Sequence, residues 1–391
     1  ERAQDLARAA EANNPTGKMP SLPPETMCKQ ESPSGGRDGE LFRPGCLSSL
    51  SFPEVLKILK ETHRIWSGGL TYYRYLDYLQ RQTASAWGRR HLKMRALLLP
   101  ATTKDEAVRI GSSCKTYNLT LRARDRAGKA CHLNFVGLGA IYTPEACRGR
   151  GYARALIELL EEEATAQGKD GLLLFSDIGS DFYSSCGFQE MSAATFTLEL
   201  NPKGSVDAGD YQVVSLSDYP SAALLRHYSR WLARERLGVE RSAAYFDYKI
   251  MKESYLHRHS KLSWPELLVL TAPELNGYAI LESGGATVRV LEIIAQEPEH
   301  FFKPILNFAL SRKARRIRGW ESVLSALAPG FDLRRYLLSS VDSNRKILTA
   351  FYFEERTWGC PMILPLKPGL EAEFSDWCNF SPCPILELDH L

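Results

Sequence analysis

"TPEACRGRGYARALIELLEEE", Thr143 to Glu163, sets two glycines and two arginines between a proline and a long acidic helix. The run "CHLNFVGLGAIYT" ahead of it reads as a strand that stops at Pro144, so the stretch is a strand-to-helix turn. The sequence predicts a helix that opens near Cys147–Arg148 and runs to about Gln167, where "QGKDG" closes it. The first N–H groups of such a helix lack intrahelical partners and lie at the positive end of its dipole, so they can receive an anion. Gly149 and Gly151 let the backbone approach a phosphate, and Ala153 keeps the next turn small. Arg148 and Arg150 add charge-assisted donors that a diphosphate can bridge. The plainer reading is a glycine-bearing loop, because R-x-x-G-x-[GA] is a loose pattern. The stretch is not a Walker A loop, since Gly-Lys-Ser/Thr is missing, and it lacks the G-x-G-x-x-G spacing of a dinucleotide site.

The residues beyond the turn narrow the choice. "LLLFSD" is a short apolar strand of the kind buried on both faces, and "DFYSSCGF" follows with Phe182, Tyr183, Gly187 and Phe188. The pairing of "IYTPEACRGRGYA" with "FYSSCGF" at this separation resembles the GCN5-related N-acetyltransferase (GNAT) superfamily over about residues 50 to 200. Within it, the chain resembles bacterial two-domain members and, through "WSGGLTYYRYL", "SSCKTY" and "SDIGSDFY", fungal lysine N6-acetyltransferases. The resemblance implies an acetyl-CoA site where the strand ending at Thr143 splays from "LLLFSD". Arg148, Gly149, Arg150, Gly151, Tyr152 and Ala153 would hold the pyrophosphate. Backbone groups of Ile141, Tyr142 and Thr143 would follow the pantetheine arm, and Tyr183 would serve the departing thiolate.

The implied reaction is direct acetyl transfer to an amine, which must be neutral to attack although a free alkylamine has a pKa near ~10. Glu145, Asp177 and Asp181 are the carboxylates near the cleft that could take the proton. Each also has a structural reading: Glu145 in an exposed turn, Asp177 capping a turn, Asp181 as the N-cap of the helix carrying Tyr183. Tyr183 could simply fill the gap between helix and sheet, a packing role that suits Phe182 better. Cys186 reads as a buried thiol, not an acyl-enzyme nucleophile. Glu161 to Glu163 read as the solvated face of the long helix.

The same order of elements recurs. Helix, helix, three strands, helix, strand runs from "FPEVLKILKETHRIW" to "LLLFSD" and again from "DYPSAALLRHYSRWLARERLG" to "RIRGW", at an interval of roughly 150–170 residues. The expected fold class is therefore α/β (α+β, mixed sheet) in two similar copies; the resemblance implies a GNAT fold in the first half followed by a degenerate GNAT-like second domain. The second copy reads "QEPEHFFKPIL", acidic where the first is basic. The expected divisions are a flexible tail over 1–45, rich in Pro, Gly and Ser, a catalytic domain over 46–203, and the degenerate domain over 204–391.

Composition argues against other classes. The 391 residues carry 49 basic and 46 acidic side chains, a net charge of +3, so no field favours nucleic acid or an anionic membrane. No apolar run has bilayer length, and the charged N-terminus does not read as a signal peptide. Nine cysteines form no CxxC pair, which fits reduced thiols in a cytoplasmic protein and no metal. The expected partners are acetyl-CoA and a small-molecule or peptide amine, with room left for a homo-oligomer. The alternative is a non-catalytic acyl-CoA-binding or regulatory protein that kept the cradle and lost turnover.

Overall fold

The computed structural model describes residues 46–100, 109–124, 128–204, 206–324, 332–340, 347–370 and 385–390; the tail reading for 1–45 lies outside them. A short strand, β1 (Cys46–Ser49), leads into helix α1 (Phe52–Trp66). The Glu54 carboxylate accepts from the Ser51 N–H at 2.7 Å and the Ser51 hydroxyl at 2.6 Å, which fixes the start of α1. Val55, Ile58 and Leu59 are buried on one face, as their spacing predicts. Thr71 stands at the N-cap of α2 (Tyr72–Ala84) with extended backbone, but its side chain makes no capping bond. The single turn α3 (Gly88–His91) leads into β2 (Leu92–Leu99), β3 (Arg109–Arg124) and β4 (Ala130–Tyr142). Then come α4 (Tyr152–Ala166), β5 (Gly171–Ser176), α5 (Asp181–Ser184), β6 (Gln189–Glu190) and β7 (Ala194–Leu200).

The second half repeats this order. It runs β8 (Gln212–Ser215), α6 (Ser221–Leu232), β9 (Leu237–Val239), α7 (Ala243–His259), β10 (Glu266–Thr271), β11 (Tyr278–Gly284) and β12 (Thr287–Ile294). Helix α8 (Phe302–Ser311), β13 (Arg316–Trp320), α9 (Leu333–Ser340), β14 (Leu348–Glu355) and β15 (Cys360–Pro365) follow. The two mixed sheets have matching orders. One is β1-β2-β3-β4-β5-β15-β6, with β9 also on β3; the other, read in the same sense, is β8-β10-β11-β12-β13-β7-β14. Among the described residues, each has a single parallel pair, β4 with β5 and β12 with β13. Two mixed sheets of one strand order thus follow each other along the chain, the tandem arrangement that the repeated element order implies.

The two halves exchange a strand. β7, from the first half, pairs with β13 and β14 of the second sheet. β15, from the end of the second half, fills the matching slot between β5 and β6 of the first. Pattern alone does not reveal this, because an apolar strand reads alike in either sheet. The exchange carries much of each core. Met362 and Ile363 on β15 are 0% exposed in the first sheet, and Phe196 and Leu198 on β7 are 0% exposed in the second. Burying each such side chain contributes roughly 1.5–3 kcal/mol, so exposing the two on one strand removes an amount comparable to much of a net domain stability of about 5–15 kcal/mol. The halves also share side chains. Tyr245 and Tyr248 of α7 pack with Trp87, Tyr117 and Phe135 on one face of the first sheet, while Leu156, Ile157 and Leu160 of α4 cover the other.

A chain ending at residue 205 would keep β4 beside β5 but leave the other edge of β5, where β15 pairs, uncovered. That fragment is expected to be insoluble or to lack a cooperative thermal transition, and co-expression with 206–391 is expected to restore one. A fragment that melts cooperatively alone would contradict the exchange.

Candidate active site

The turn after β4 differs in one respect from its sequence reading. Pro144 is followed by a single 3-10 turn, Glu145–Cys147, and the α-helix starts only at Tyr152. Cys147 is buried, with its Sγ 3.7 Å from the Ile110 carbonyl, so the 3-10 turn is pinned to β3 before the chain can enter the helix. Gly149 and Gly151 have φ of 72° and 76°, left-handed values that explain the glycines directly. Gly151 is the N-cap, and no side chain caps the helix. The first helical backbone bond is Ala155 N–H to Gly151 O at 3.0 Å. Among the described residues, the N–H groups from Gly149 to Arg154 donate to no backbone acceptor. A Cβ at either glycine would meet nothing within 4 Å, so open space lies over this row of donors. Such an array fits a diphosphate.

Arg148 and Arg150 are exposed at the same edge. Arg148 Nε donates to the Thr143 carbonyl at 3.3 Å, which holds that side chain over the turn. The Tyr152 ring is buried against the sheet, and Ala153 is half-buried. Arg154 donates from both terminal nitrogens to the Ser185 carbonyl and hydroxyl, each at 2.7 Å. It thereby ties the start of α4 to the segment carrying Tyr183.

The β4 strand is irregular where it reaches the turn. Its pairing with β3 slips between Ser113–Tyr142 and Lys115–Gly139, and Ala140 takes a φ of 49°. Pairing with β5 stops at Leu138–Leu174, so Gly139 to Tyr142 run on without β5 beside them. This is the splay expected between the strand ending at Thr143 and "LLLFSD". Ile141 and Thr143 are half-buried there and Tyr142 is buried. The Ser112 hydroxyl donates to the Tyr142 carbonyl at 3.2 Å and accepts from the Thr143 hydroxyl at 3.1 Å. The Tyr142 phenol donates to Glu61 Oε2 at 3.0 Å from α1. No local pattern around Glu61 singles it out; only the packing of α1 over the end of β4 brings it in.

Tyr183, not Phe182, is the enclosed ring of α5. Tyr183 is 8% exposed while Phe182 is half-buried. It packs edge-on against Phe182 and Phe188 at 5.0 and 6.1 Å. Burial, reinforced by the nearby Asp177 charge, pushes the phenol up to about 12, so it remains a protonated donor at neutral pH. Burial also raises the Cys186 thiol, which disfavours a thiolate nucleophile there. Glu145 and Asp181 are exposed. The N-cap of α5 is Ser180, with Asp181 the first helical residue. The turn after β5 is closed by Ser176, whose hydroxyl donates to Gly179 O and accepts from Ile178 N–H, so Asp177 is spared that role. Of the three candidate carboxylates, Asp177 is the one whose charge acts on the Tyr183 phenol. On the long helix, Glu163 is not simply solvated, since it accepts from Arg95 at 2.9 Å and from Gln167 at 2.9 Å.

The second half adds a residue to this corner. His390 Nε2 lies 3.8 Å from Asp177 Oδ1, and its ring contacts Phe175, Trp358 and Trp320 at centroid distances of 5.0, 5.0 and 5.9 Å. Its burial pushes the imidazole down to about 4, against the smaller opposing pull of Asp177. The segment is held by buried charge: Arg241 binds Asp389 with two bonds of 2.9 Å and Glu292 at 2.9 Å, all essentially unexposed. No signal in the sequence links His390 to Asp177, because the contact spans both halves.

Comparison with known proteins bears on the fold that carries these residues. Residues 59–188 match the family model described as "Acetyltransferase (GNAT) family". No curated protein matches the chain. Among solved structures, it resembles a GCN5-related N-acetyltransferase from Kribbella flavida (13% identity, 82% of this chain and 72% of that one, TM-score 0.54). A conserved protein of unknown function from Enterococcus faecalis V583, described as a probable N-acyltransferase, is similar at 15% identity (82% and 72%, TM-score 0.55). A GCN5-related N-acetyltransferase from Anabaena variabilis aligns at 12% identity (82% and 73%, TM-score 0.54). At these identities the likeness is one of fold.

The depressed His390 has a consequence for stability. The unfolded chain binds a proton near pH 6.5 that the folded chain binds only near pH 4. Its stabilising share is thus complete above about pH 6.5 and lost as pH falls towards 4. Asp177, Lys249 and Lys252 are the charges facing it. In denaturant titrations, the wild type is expected to lose stability between about pH 6.5 and 4, and His390→Phe to lose less. Parallel pH curves for the two proteins would contradict this.

Proposed function

We propose that the chain, whose residues 59–188 belong to the acetyltransferase (GNAT) family, is an N-acetyltransferase. It would move the acetyl group of acetyl-CoA directly to a primary amine of a small molecule or peptide. The observation that carries the reading is the row of free N–H donors at Gly149–Arg154, under open space, beside the bulged end of β4 and the protonated phenol of Tyr183.

The residues divide the work. Backbone N–H groups from Gly149 to Ala153, with Arg148 and Arg150, would grip the pyrophosphate. Ile141, Tyr142 and Thr143, free of β5, would present backbone groups to the pantetheine arm. The thioester supplies the activated acetyl group. Tyr183 would donate a hydrogen bond to the sulfur as charge develops on it, a role that needs a donor and no prior change of charge. Asp177, half-exposed after β5, would take the amine's proton, directly or through water. Cytoplasmic location and the division into a catalytic 46–203 and a degenerate 204–391 belong to the same proposal, with β15 and His390 lent back to the first site.

The rival reading, a binder without turnover, has one observation in its favour: the Tyr183 ring is itself part of the core. Tyr183→Phe keeps that packing and removes only the hydroxyl. It is expected to lower kcat on the order of 10²-fold or more while leaving CoA affinity within about twofold; equal turnover would remove Tyr183 from the mechanism. Gly151→Glu places a bulky anion at a left-handed position under the cradle. It is expected to abolish CoA binding by calorimetry while the thermal transition persists, and undiminished binding would overturn the cradle.

A further inference from the structure

We infer that His390, delivered by the second half of the chain, is a positioning residue that orients the Asp177 carboxylate for deprotonating the acceptor amine. The inference rests on the acyl-transfer reading above and extends it to the second half. Three observations carry it. Asp177 directly follows β5, at the end where β4 has parted from it, and is 49% exposed, and the described hydrogen bonds of its turn are made by Ser176 and not by its carboxylate. His390 Nε2 faces that carboxylate at 3.8 Å. Hydrogen bonds of a catalytic site are often long before substrate binds and shorten in the complex. The third observation is how firmly the imidazole is held.

Rings of Phe175, Trp320 and Trp358 surround it on three sides. Its carbonyl accepts from Lys249 Nζ at 2.6 Å. Asp389, one residue earlier, is locked by Arg241 and by the Tyr245 hydroxyl at 3.1 Å, and Glu387 pairs with Arg289. Yet the His390 side chain keeps 20% of its surface accessible, so it is not sealed in the core, and its Nε2 lies towards the exposed Asp177 carboxylate. A histidine required only to fill an aromatic box would not need a carboxylate opposite its Nε2.

The proton balance is simple. The acceptor ammonium gives one proton to the Asp177 carboxylate, whose second oxygen faces the imidazole N–H, and the neutral amine then attacks. His390 stays neutral throughout, because its burial among the rings, and then Lys252 and Lys249 of α7, oppose a positive charge on it. Asp177 and Asp389 are the anions near it.

Two variants separate orientation from packing. His390→Phe fills the box without an N–H; His390→Gln keeps an amide N–H near the Nε2 position. Thiol release from acetyl-CoA would be followed across pH with whichever of L-lysine, spermidine, kanamycin or an alanyl peptide the wild type uses fastest. His390→Phe is expected to lower kcat/KM at least ~10-fold and to move the acidic limb of the profile to higher pH, with His390→Gln restoring most of both. An unshifted limb and unchanged kcat/KM in His390→Phe would overturn the inference. So would equal losses in both variants tracking a common fall in Tm. A readout independent of turnover is the imidazole tautomer by long-range ¹H–¹⁵N NMR. The Nε2–H form is expected at pH 7, with a shift change in Asp177→Asn, and an Nδ1–H form would overturn the inference. A wild type with the Nε2–H tautomer that releases no thiol with any amine would count against the acyl-transfer reading and not against the His390–Asp177 pair.

Discussion

The edge of β5 is the constraint on which the rest depends. β4 and β5 are the parallel pair of the first sheet, and their pairing ends at Leu138–Leu174 so that the strands can part. Once they part, β5 has to be held from its other side. The strand that does so is β15, which pairs with it along its whole length, from Cys360–Ser176 to Pro365–Gly171. An opening between two strands is stable only when both outer edges are anchored, and here one anchor comes from the far half of the chain. The reciprocal insertion of β7 makes the dependence mutual. The second half is thus part of the first half's sheet, whatever it does besides.

This arrangement also explains why the corner after β5 is crowded with residues from distant parts of the chain. The exchanged strand draws the final segment across the end of β5. There Arg241, shared between Asp389 and Glu292, fixes it through buried charge. Buried ion pairs add little net stability but are costly to break, by roughly 3–5 kcal/mol when one partner is lost, so they fix position more than they stabilise. His390 reaches Asp177 at this corner across more than half the chain, and the same carboxylate acts electrostatically on Tyr183.

What the sequence disclosed follows from how local each feature is. The turn was legible because Gly149 and Gly151 are required by their own left-handed backbone, a property of single residues. The helix start was misplaced by about a turn because Cys147 is pinned to Ile110, a contact made only after β3 and β4 have paired. Tyr183 stood out through "FYSSCGF", but its enclosure relative to Phe182 depends on which way a short helix faces the sheet. The tandem repeat was readable from element order, whereas the exchange was not, since "CPMILP" suits either slot. Glu61 and His390 carry no local pattern at all; packing alone brings them to the site.

Acyl transfer to an amine is the work proposed for the cradle and the phenol. Its most direct test is thiol release from acetyl-CoA by the full chain against a library of primary amines, with CoA binding measured in parallel by calorimetry. The account requires at least one amine to raise thiol release well above the rate of hydrolysis without amine. Tight CoA binding with no amine-dependent release across the library would contradict it and leave a binding protein.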